Sequence, residues 1–290
     1  MPETTEVAPE ASRKRSGSRP DLATIGGLAL ALGGILGGLV LEQGKVKDVA
    51  QLTAALIVLG GTLGAVMVTT PLSLLRGAAA KLPAVFWEAS SAPDAVIEQI
   101  IAYATKARKN GIVSLEDETE SIEDPFLRKA LNLAVDGADL QELRRMMELD
   151  LELQEQRGEA EARVYEAAGG YAPTIGIIGA VLGLIQVMKH LANIDEVGRG
   201  IAVAFVATVY GVASANIFFL PAGAKLKARV RAAVQLRELM LEGVLSIAEG
   251  LNPKLIRLKL EAYGQAAPAR KASKPGAALS AATAEAVAGD

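Results

Sequence analysis

Cysteine is absent from the chain and histidine occurs once, as His190. Without cysteine there can be no disulfide, no thiolate metal ligand and no cysteine nucleophile. A single histidine excludes a histidine-rich metal site and leaves Ser/His/Asp catalysis dependent on one residue. The carboxylates from Glu116 to Glu123 have no paired base, phosphate-binding glycine loop or metal-ligand spacing beside them. We therefore expect no enzymatic activity, no catalytic residue, no metal and no cofactor.

Aromatic residues are also scarce, at 4% of the chain. The basic residues do not form a stripe with interleaved aromatic side chains, which makes nucleic acid a poor candidate partner. Hydrophobic residues nevertheless reach 51%, and Ala, Gly, Leu, Val and Ile fill the apolar positions. This composition is typical of helices in a lipid bilayer.

Four apolar runs are each long enough to cross a hydrocarbon core, which needs roughly 20 apolar residues. The runs are Leu22–Leu41, Leu52–Leu75, Ala172–Val187 and Ile201–Leu220. Short turns at Glu42–Val49 and Ile194–Val197 predict that they pair as two hairpins. A basic cluster at Arg13–Arg19 precedes the first run, but that run is too long for the apolar region of a cleaved signal peptide. The sequence predicts an all-α integral membrane protein with four transmembrane helices in two hairpins and a helical cytoplasmic domain.

Between the hairpins lies a charged stretch of about a hundred residues in which apolar residues recur at helical steps over Asp94–Asn110 and Asp139–Glu166. We expect the second of these helices to run directly into the third span, and Lys225–Gly250 to extend the fourth as an amphipathic helix. The predicted divisions are a disordered N-terminus (1–20), a first hairpin (21–75), a cytoplasmic domain (76–170), a second hairpin (171–221), a helical extension (222–263) and a disordered tail (264–290).

Basic residues indicate which side of the membrane each loop occupies. Arg13–Arg19, Arg76, Lys81 and Lys225–Arg231 flank one face of the predicted spans, whereas the opposite turns hold only Lys45, Lys47, Lys189 and Arg199. The face with more basic residues is cytoplasmic by the positive-inside rule. Both termini and the large loop are therefore predicted to be cytoplasmic.

Polar groups in the spans are few and uncharged, although such groups at membrane depth are candidates for function. Thr208 and Tyr210 either line an ion path or, in the case of Thr208, bond back to a carbonyl of the same helix. Pro173 and Pro221 either act as hinges or mark helix ends. Four small-xxx-small pairs favour dense helix packing, within the chain or between chains: Gly33/Gly37, Gly34/Gly38, Gly60/Gly64 and Gly179/Gly183.

Three stretches of this sequence, Gly170–Leu184, Ala202–Gly211 and Glu242–Pro253, make it similar to the MotA/PomA family. That family provides the ion-channel subunit of the bacterial flagellar stator and belongs to a wider group with ExbB and TolQ. The resemblance runs from about Asp21 to about Tyr263. It implies a homo-oligomer of five copies in the inner membrane around a MotB-like peptidoglycan-binding partner, which supplies the ion-binding aspartate. It also implies contact with the rotor protein FliG, in motility and chemotaxis.

The resemblance also assigns roles to individual residues. The two channel prolines of the family fall on Pro173 and Pro221, and the hydroxyl at the ion path falls on Thr208. Sodium-using relatives place a second threonine where this chain has Ala180, so H⁺ is favoured over Na⁺. The stretch Lys106–Glu116 resembles the rotor-contact segment of the family, with Arg108 and Glu116 at its charged positions. From residue chemistry alone, these two side chains would be interpreted as part of a solvated charged surface.

Two other functions compete with the stator hypothesis. An ExbB/TolQ-type energiser of an outer-membrane process uses the same gradient, but such proteins usually have three spans and a different loop order. A membrane scaffold that only assembles partners is the second. A measurement of ion flux with a coexpressed partner distinguishes the two ion-conducting hypotheses, the stator and the energiser, from the scaffold.

Overall fold

The computed structural model describes residues 19–88 and 93–265, and within them the chain is almost entirely helical. Four helical runs in these ranges are long and apolar enough to cross a membrane, which confirms the predicted number of spans. Their bounds are Leu22–Leu41, Leu52–Thr69, Leu140–Lys189 and Ile194–Ala248. The predicted disorder of residues 1–18 and of the tail beyond 265 lies outside the described residues.

The first hairpin and the segment after it contain six helices. They are α1 (Leu22–Leu41), α2 (Val46–Val49), α3 (Leu52–Ala55), α4 (Gly61–Thr69), α5 (Leu72–Lys81) and α6 (Pro83–Phe86), and a π-helical turn over Leu56–Gly60 joins α3 to α4. The Asp21 side chain caps α1 by accepting a hydrogen bond from the Thr24 amide at 3.0 Å. Two short strands, Arg19–Pro20 and Trp87–Glu88, pair antiparallel beside this cap.

The second span is shorter than predicted, because its helix ends at Thr69 and not near Leu75. Thr70 is extended, with φ −128° and ψ 129°, and Pro71 then caps the separate helix α5. The cause is local: the proline ring clashes with a helical conformation of the residue before it.

Seven further helices follow. They are α7 (Pro93–Asn110), α8 (Glu116–Thr119), α9 (Pro125–Val135), α10 (Leu140–Lys189), α11 (Ile194–Ala213), α12 (Leu220–Ala248) and α13 (Pro253–Gln265), with a 3₁₀ turn at Ile112–Leu115 and a π-helical turn at Ser214–Phe219. The 50 residues of α10 confirm that the charged helix runs into the third span without a break. Likewise, α12 continues the fourth span.

The turn of the second hairpin lies four residues earlier than predicted. Asn193 caps α11 by accepting a hydrogen bond from the Asp195 amide at 3.2 Å, so Ile194–Val197 forms the first helical turn. Acidic residues at 195 and 196 favour this position, since carboxylates are stabilised near a helix N-terminus. The prediction was wrong because it read a polar run as a loop and overlooked the cap.

Helix α9 was not predicted, and α13 is a separate helix inside the predicted helical extension (222–263), although each begins with a recognisable signal. Asp124 accepts hydrogen bonds from the Phe126 and Leu127 amides before Pro125, and Asn252 accepts one from the Lys254 amide before Pro253. A capping side chain followed by proline at the first helical position is a standard helix start.

The described chain folds into two compact units, each built from two separate stretches of sequence. The first combines the chain up to Val96 with Ala138–Glu238, and the second combines Ile97–Gly137 with the chain from Leu239 onward. The first unit contains all four candidate spans up to residue 238. In the second, α9 and α13 bury apolar side chains that include Phe126, Leu127, Leu131, Ile256 and Leu260.

Candidate functional site

Helices α10 and α11 approach each other closely along a seam of small residues. We call this the small-residue seam; it comprises Gly176, Gly179 and Gly183 of α10 with Gly200, Ala204, Ala207 and Gly211 of α11. A Cβ on Gly183 would lie 2.8 Å from the Ala204 nitrogen, and one on Gly176 would lie 2.9 Å from the Ala207 carbonyl oxygen. Side chains larger than these would therefore separate the two backbones.

Of the four predicted glycine pairs, the described structure packs only Gly179/Gly183 inside this chain. A Cβ on either glycine of the other three pairs would have no described atom within 4 Å. The glycines of α1, together with Gly60 and Gly64, therefore leave open space, whereas Gly179 and Gly183 of α10 do not.

Thr208 lies on α11 beside the small-residue seam and is half-buried. Its hydroxyl donates to the Ala204 carbonyl at 3.2 Å, which is the bond back to its own helix that the sequence left as an alternative. The hydroxyl oxygen keeps its acceptor lone pairs in this arrangement. Ala180 is half-buried on α10, next to Gly179 of the seam, and contributes no polar side-chain atom. Thr208 and Ala180 thus belong to the two helices that the seam joins.

The hydroxyl of Tyr210 is occupied by the first hairpin. It donates to the Val49 carbonyl at 2.6 Å and accepts from the Gln51 amide at 3.3 Å. These two bonds attach the start of α3 to α11, and the ring packs on a buried cluster of Ala54, Val58 and Val206. The structure therefore gives Tyr210 a positioning contact, and its place on an ion path stays a prediction.

Pro173 does not mark a helix end, contrary to one of the two readings of the sequence, and Pro221 lies inside the continuous helical run Ile194–Ala248. Pro173 lies inside α10, and its Cα would be 3.2 Å from a Cβ on Gly211 across the seam. Pro221 is the second residue of α12 and directly follows the π-helical turn Ser214–Phe219. A proline removes a backbone donor and its ring crowds the preceding turn, which a π-helical turn accommodates. Each long helix therefore has a weakened point in its hydrogen-bond ladder.

Arg108 and Glu116 both lie in the second unit, on either side of a turn, and both are exposed. Arg108 is in the last turn of α7 and Glu116 begins α8, with Gly111 at φ 83° between them. A salt bridge of 2.8 Å from Lys106 to Glu118 holds the two helices together there. This turn presents charges of both signs to solvent.

A buried carboxylate that the sequence analysis missed anchors α5 to the charged half of α10. The Glu161 side chain is 4% exposed and lies 2.6 Å from the Lys81 ammonium and 3.3 Å from the Arg157 guanidinium. A Cβ on Gly77 would overlap this carboxylate, and one turn further the Tyr165 hydroxyl donates to the Ala78 carbonyl at 2.8 Å. Sequence gives no direct sign of such burial, because Glu161 lies among many exposed glutamates.

Asp21 forms a second charged contact, which we call the Asp21 clasp, with Lys225 and Arg229 of α12. The Asp21 carboxylate accepts hydrogen bonds from Lys225 and, at 3.1 Å, from Arg229, and Arg229 also donates to the Trp87 carbonyl. The hydrogen bond from Lys225, followed by that from the Thr24 amide, lowers the pKa of Asp21 to about 2. The clasp joins the start of α1 to the segment after the fourth span.

These features define a multi-span helical membrane protein in which two long helices pack closely and carry no charged side chain along the small-residue seam. Two family models match it: the MotA/TolQ/ExbB proton channel family over residues 118–239 and the Motility protein A N-terminal model over residues 25–111. Motility protein A of Bacillus subtilis (strain 168) is 36% identical over 244 residues, covering 84% of this chain and 90% of the relative.

Two solved structures are similar to the whole described fold. The structure of C. jejuni MotAB matches with a TM-score of 0.81 and 34% identity, covering 87% of this chain and 99% of that chain. The flagellar MotAB stator complex from Bacillus subtilis matches with a TM-score of 0.77 and 36% identity, covering 84% and 96%. The chain belongs to the MotA/PomA family of the MotA/TolQ/ExbB group, as the sequence resemblance implied.

Proposed function

We propose that this flagellar stator subunit forms an ion channel with a MotB-like partner and converts ion flow into torque on the rotor. The observation that carries the proposal is the small-residue seam, which builds a wall from two long helices with no Asp, Glu, Lys, Arg or His in its membrane-spanning part. A wall of this kind has no group that binds and releases a proton. The partner's single helix would supply the aspartate that does so.

Ion transfer changes the charge of that aspartate, and this change supplies the driving force. Placing a charged carboxylate against an apolar wall costs more free energy than placing a protonated one there. Each protonation or deprotonation of the aspartate therefore favours a new position of the ring around the partner. One elementary charge crossing about 100 mV yields roughly 2.3 kcal/mol. Several ions must therefore contribute when a rotor step costs more than this. The weakened points at Pro173 and Pro221 allow α10 and the fourth span to flex during a step.

The conducted ion is H⁺ in this proposal. A hard cation such as Na⁺ is held by several oxygen ligands. Thr208 offers one side-chain oxygen on α11, and Ala180 offers none on α10. Fewer oxygens along the wall leave Na⁺ poorly coordinated, whereas a proton needs only one acceptor at a time.

The assembly we propose is a ring of five copies in the bacterial inner membrane, with both termini and the large loop in the cytoplasm. Basic residues near the ends of the spans support this orientation by the positive-inside rule. Arg108 and Glu116, exposed on their turn, would then meet complementary charges of FliG, and the partner would grip peptidoglycan on the other side. We assign no enzymatic step to the chain.

The ExbB/TolQ-type energiser is the less supported alternative. Residues 25–111, which include all but the first few residues of the first hairpin, match the N-terminal model of Motility protein A. An energiser of the ExbB/TolQ type is not expected to carry this hairpin.

Proton flux tests the proposal directly. The chain is coexpressed with a MotB-like partner whose plug is removed, and cytoplasmic pH is recorded. We expect rapid acidification, reduced severalfold by Thr208→Ala. Thr69→Ala is the matched control, because the Thr69 hydroxyl makes the same bond to a carbonyl four residues earlier, also at 3.2 Å, but lies on α4. No acidification with any partner would favour a scaffold. Equal loss in both variants would remove Thr208 from the path.

A second experiment separates rotor contact from conduction. Arg108→Glu reverses an exposed charge outside the spans, so it should abolish swimming and leave acidification unchanged. Lys109→Glu on the same exposed turn is the control for a general charge effect. Loss of both swimming and acidification in Arg108→Glu would indicate a folding defect and contradict the assignment.

A further inference from the structure

A crevice of about 330 Å³ opens beside the first turns of α1. Its walls are largely apolar and include Gly27, Leu28 and Ala31 of α1, Phe86 of α6, and Ile217 and Phe218 of the π-helical turn. This volume is at the lower end of the range for pockets that hold small molecules, roughly 300–1,000 Å³. The crevice is therefore large enough for part of an elongated ligand.

The crevice exists because α1 is attached near its start and packs poorly beyond it. The Asp21 clasp fixes the first residue before the helix, yet no residue of α1 is buried. A Cβ on Gly27, which faces the crevice, would have no atom within 4 Å. On the opposite wall, the lining residues of the fourth span belong to the π-helical turn before Pro221, where the backbone departs from α-helical geometry. The gap therefore follows from backbone features on both sides.

The position of the crevice along α1 matches one leaflet of a bilayer. Its lining on α1 extends from Ala23 to Ala31, a rise of about 12 Å at roughly 1.5 Å per residue. One leaflet contributes about 15 Å of hydrocarbon. Thr24, Asn216 and Lys225 are the polar residues of the lining, and the other ten lining residues are apolar. Most of the space therefore offers no hydrogen-bond partner to a water molecule or an ion. A hydrocarbon chain matches both its length and its polarity.

The mouth of the crevice carries an excess of positive charge. Lys225 lines the mouth, and its ammonium group hydrogen-bonds to the Asp21 carboxylate and to the Thr24 hydroxyl. Arg229 bonds to the same carboxylate at 3.1 Å. A single carboxylate thus faces two cations, which leaves one net positive charge where a lipid headgroup would lie.

We propose that this crevice binds an anionic phospholipid, with an acyl chain between α1 and the π-helical turn and its phosphate at Lys225 and Arg229. The proposal places the lipid in the cytoplasmic leaflet, and this placement rests on the orientation given in the proposed function. The location of the crevice and the class of lipid do not depend on that orientation. The bound chain packs against the first span and against the turn that precedes Pro221. It therefore fills the gap between the weakly attached α1 and the flexible point of the fourth span.

The chain contains its own reporter for this site. Trp87 is the single tryptophan of the sequence, its carbonyl accepts a hydrogen bond from Arg229, and Phe86 before it lines the crevice. Bromine atoms on acyl chains quench tryptophan fluorescence at close range. The full chain, purified with its coexpressed partner, is reconstituted in symmetric vesicles that contain brominated phosphatidylglycerol or brominated phosphatidylcholine. A Trp87→Phe sample gives the background from the partner.

We expect brominated phosphatidylglycerol to quench Trp87 at a roughly fivefold lower mole fraction than phosphatidylcholine, the preference that one net basic side chain provides near an anionic lipid. Gly27→Phe fills the crevice and should abolish this preference. Gly26→Phe is the matched control, because its Cβ also has no atom within 4 Å but Gly26 does not line the crevice. Arg229→Gln should lower the preference, and the exposed Arg231→Gln should leave it unchanged.

Equal quenching by the two lipids, or an unchanged preference in Gly27→Phe, would overturn the proposal. Absence of quenching by either lipid would also overturn it and would indicate that a helix of a second copy or of the partner fills the crevice. The measurement requires no ion flux. A failed lipid preference with normal acidification therefore rejects the lipid site alone, and a normal preference without acidification rejects the channel function alone.

Discussion

Helix α1 and the α10/α11 pair both contain repeated glycines, yet these glycines are used differently. Six glycines of α1 face open space, whereas those of the small-residue seam lie directly against the opposite helix. No residue of α1 is buried, but Gly176, Gly179, Gly183, Gly200 and Gly211 all are. A small-xxx-small spacing therefore indicates a helix that can pack closely, and does not identify which helices have done so within one chain.

The largest expected effect on stability comes from replacing a glycine by alanine, which is compared between the small-residue seam and α1. Gly211→Ala places a Cβ about 2.5 Å from the Ala172 carbonyl oxygen, so the helices must separate. We expect the free energy of unfolding to fall by about 1–3 kcal/mol. Gly34→Ala, in open space, should leave it unchanged or raise it by about 0.4–1 kcal/mol. Thermal unfolding in detergent measures both, and equal destabilisation would contradict the packing described for the seam.

The attachment of α5 to α10 sharpens the contrast with the loosely packed α1. Lys81→Met removes the closest cation from a carboxylate that is 4% exposed, so we expect a loss of about 1–3 kcal/mol in unfolding free energy. Lys227→Met is the control, since Lys227 pairs at 2.7 Å with Glu166, which is 37% exposed. That pair should contribute at most about 1 kcal/mol. Unfolding in denaturant compares the variants, and an equal loss in both would remove the special role of burial at Glu161.

The smallest effect concerns the Asp21 clasp and depends on pH. The folded state lowers the pKa of Asp21 from 3.8 to about 2, so folding favours the charged carboxylate. The stabilisation is fully present above pH 3.8 and is lost as the pH falls towards about 2. We expect the difference in melting temperature between the wild type and Asp21→Asn to be constant near neutral pH. It should shrink over that acidic interval.

A matched measurement checks the source of that pH dependence. Asp48→Asn also removes a capping carboxylate, one that accepts from the Lys45 amide at 2.9 Å, but it lies outside the clasp. The two pH profiles should differ at the acidic end. Identical profiles would show that capping alone, without Lys225 and Arg229, accounts for the behaviour of Asp21.

Much of the fold was predictable because it depends on short-range patterns. The four spans, the continuous α10 and the extension into α12 each follow from apolar runs or helical periodicity. The existence of α9 and the separate start of α13 were missed, although Asp-Pro and Asn-Pro signals mark these two positions. The end of the second span was placed too late, because the apolar run continues past Thr70 and Pro71. The restriction that Pro71 imposes on Thr70 ends the helix before that run does. These errors concern boundaries and leave the number and type of spans unchanged.

The site was less predictable, because its contacts join residues far apart in sequence. Nothing near Tyr210 indicates that its hydroxyl reaches the Val49 carbonyl, and nothing near Glu161 distinguishes it from its exposed neighbours. The bond from Thr208 to Ala204 was among the stated alternatives, since it involves one helix only. The contact of Pro173 with Gly211 could not be predicted from sequence, because it exists only where α10 and α11 pack together.

By itself the sequence determined a four-span helical membrane protein, the absence of charge from its spans and its family, because composition, periodicity and motifs act within one segment. Tertiary structure decided which glycines form the seam, which carboxylate is buried and where α1 leaves a crevice. Those outcomes depend on the distance between segments, and many sequences with the same local patterns could bring different segments together. Close packing admits only the pairs whose shapes and charges match, and a linear pattern does not specify them.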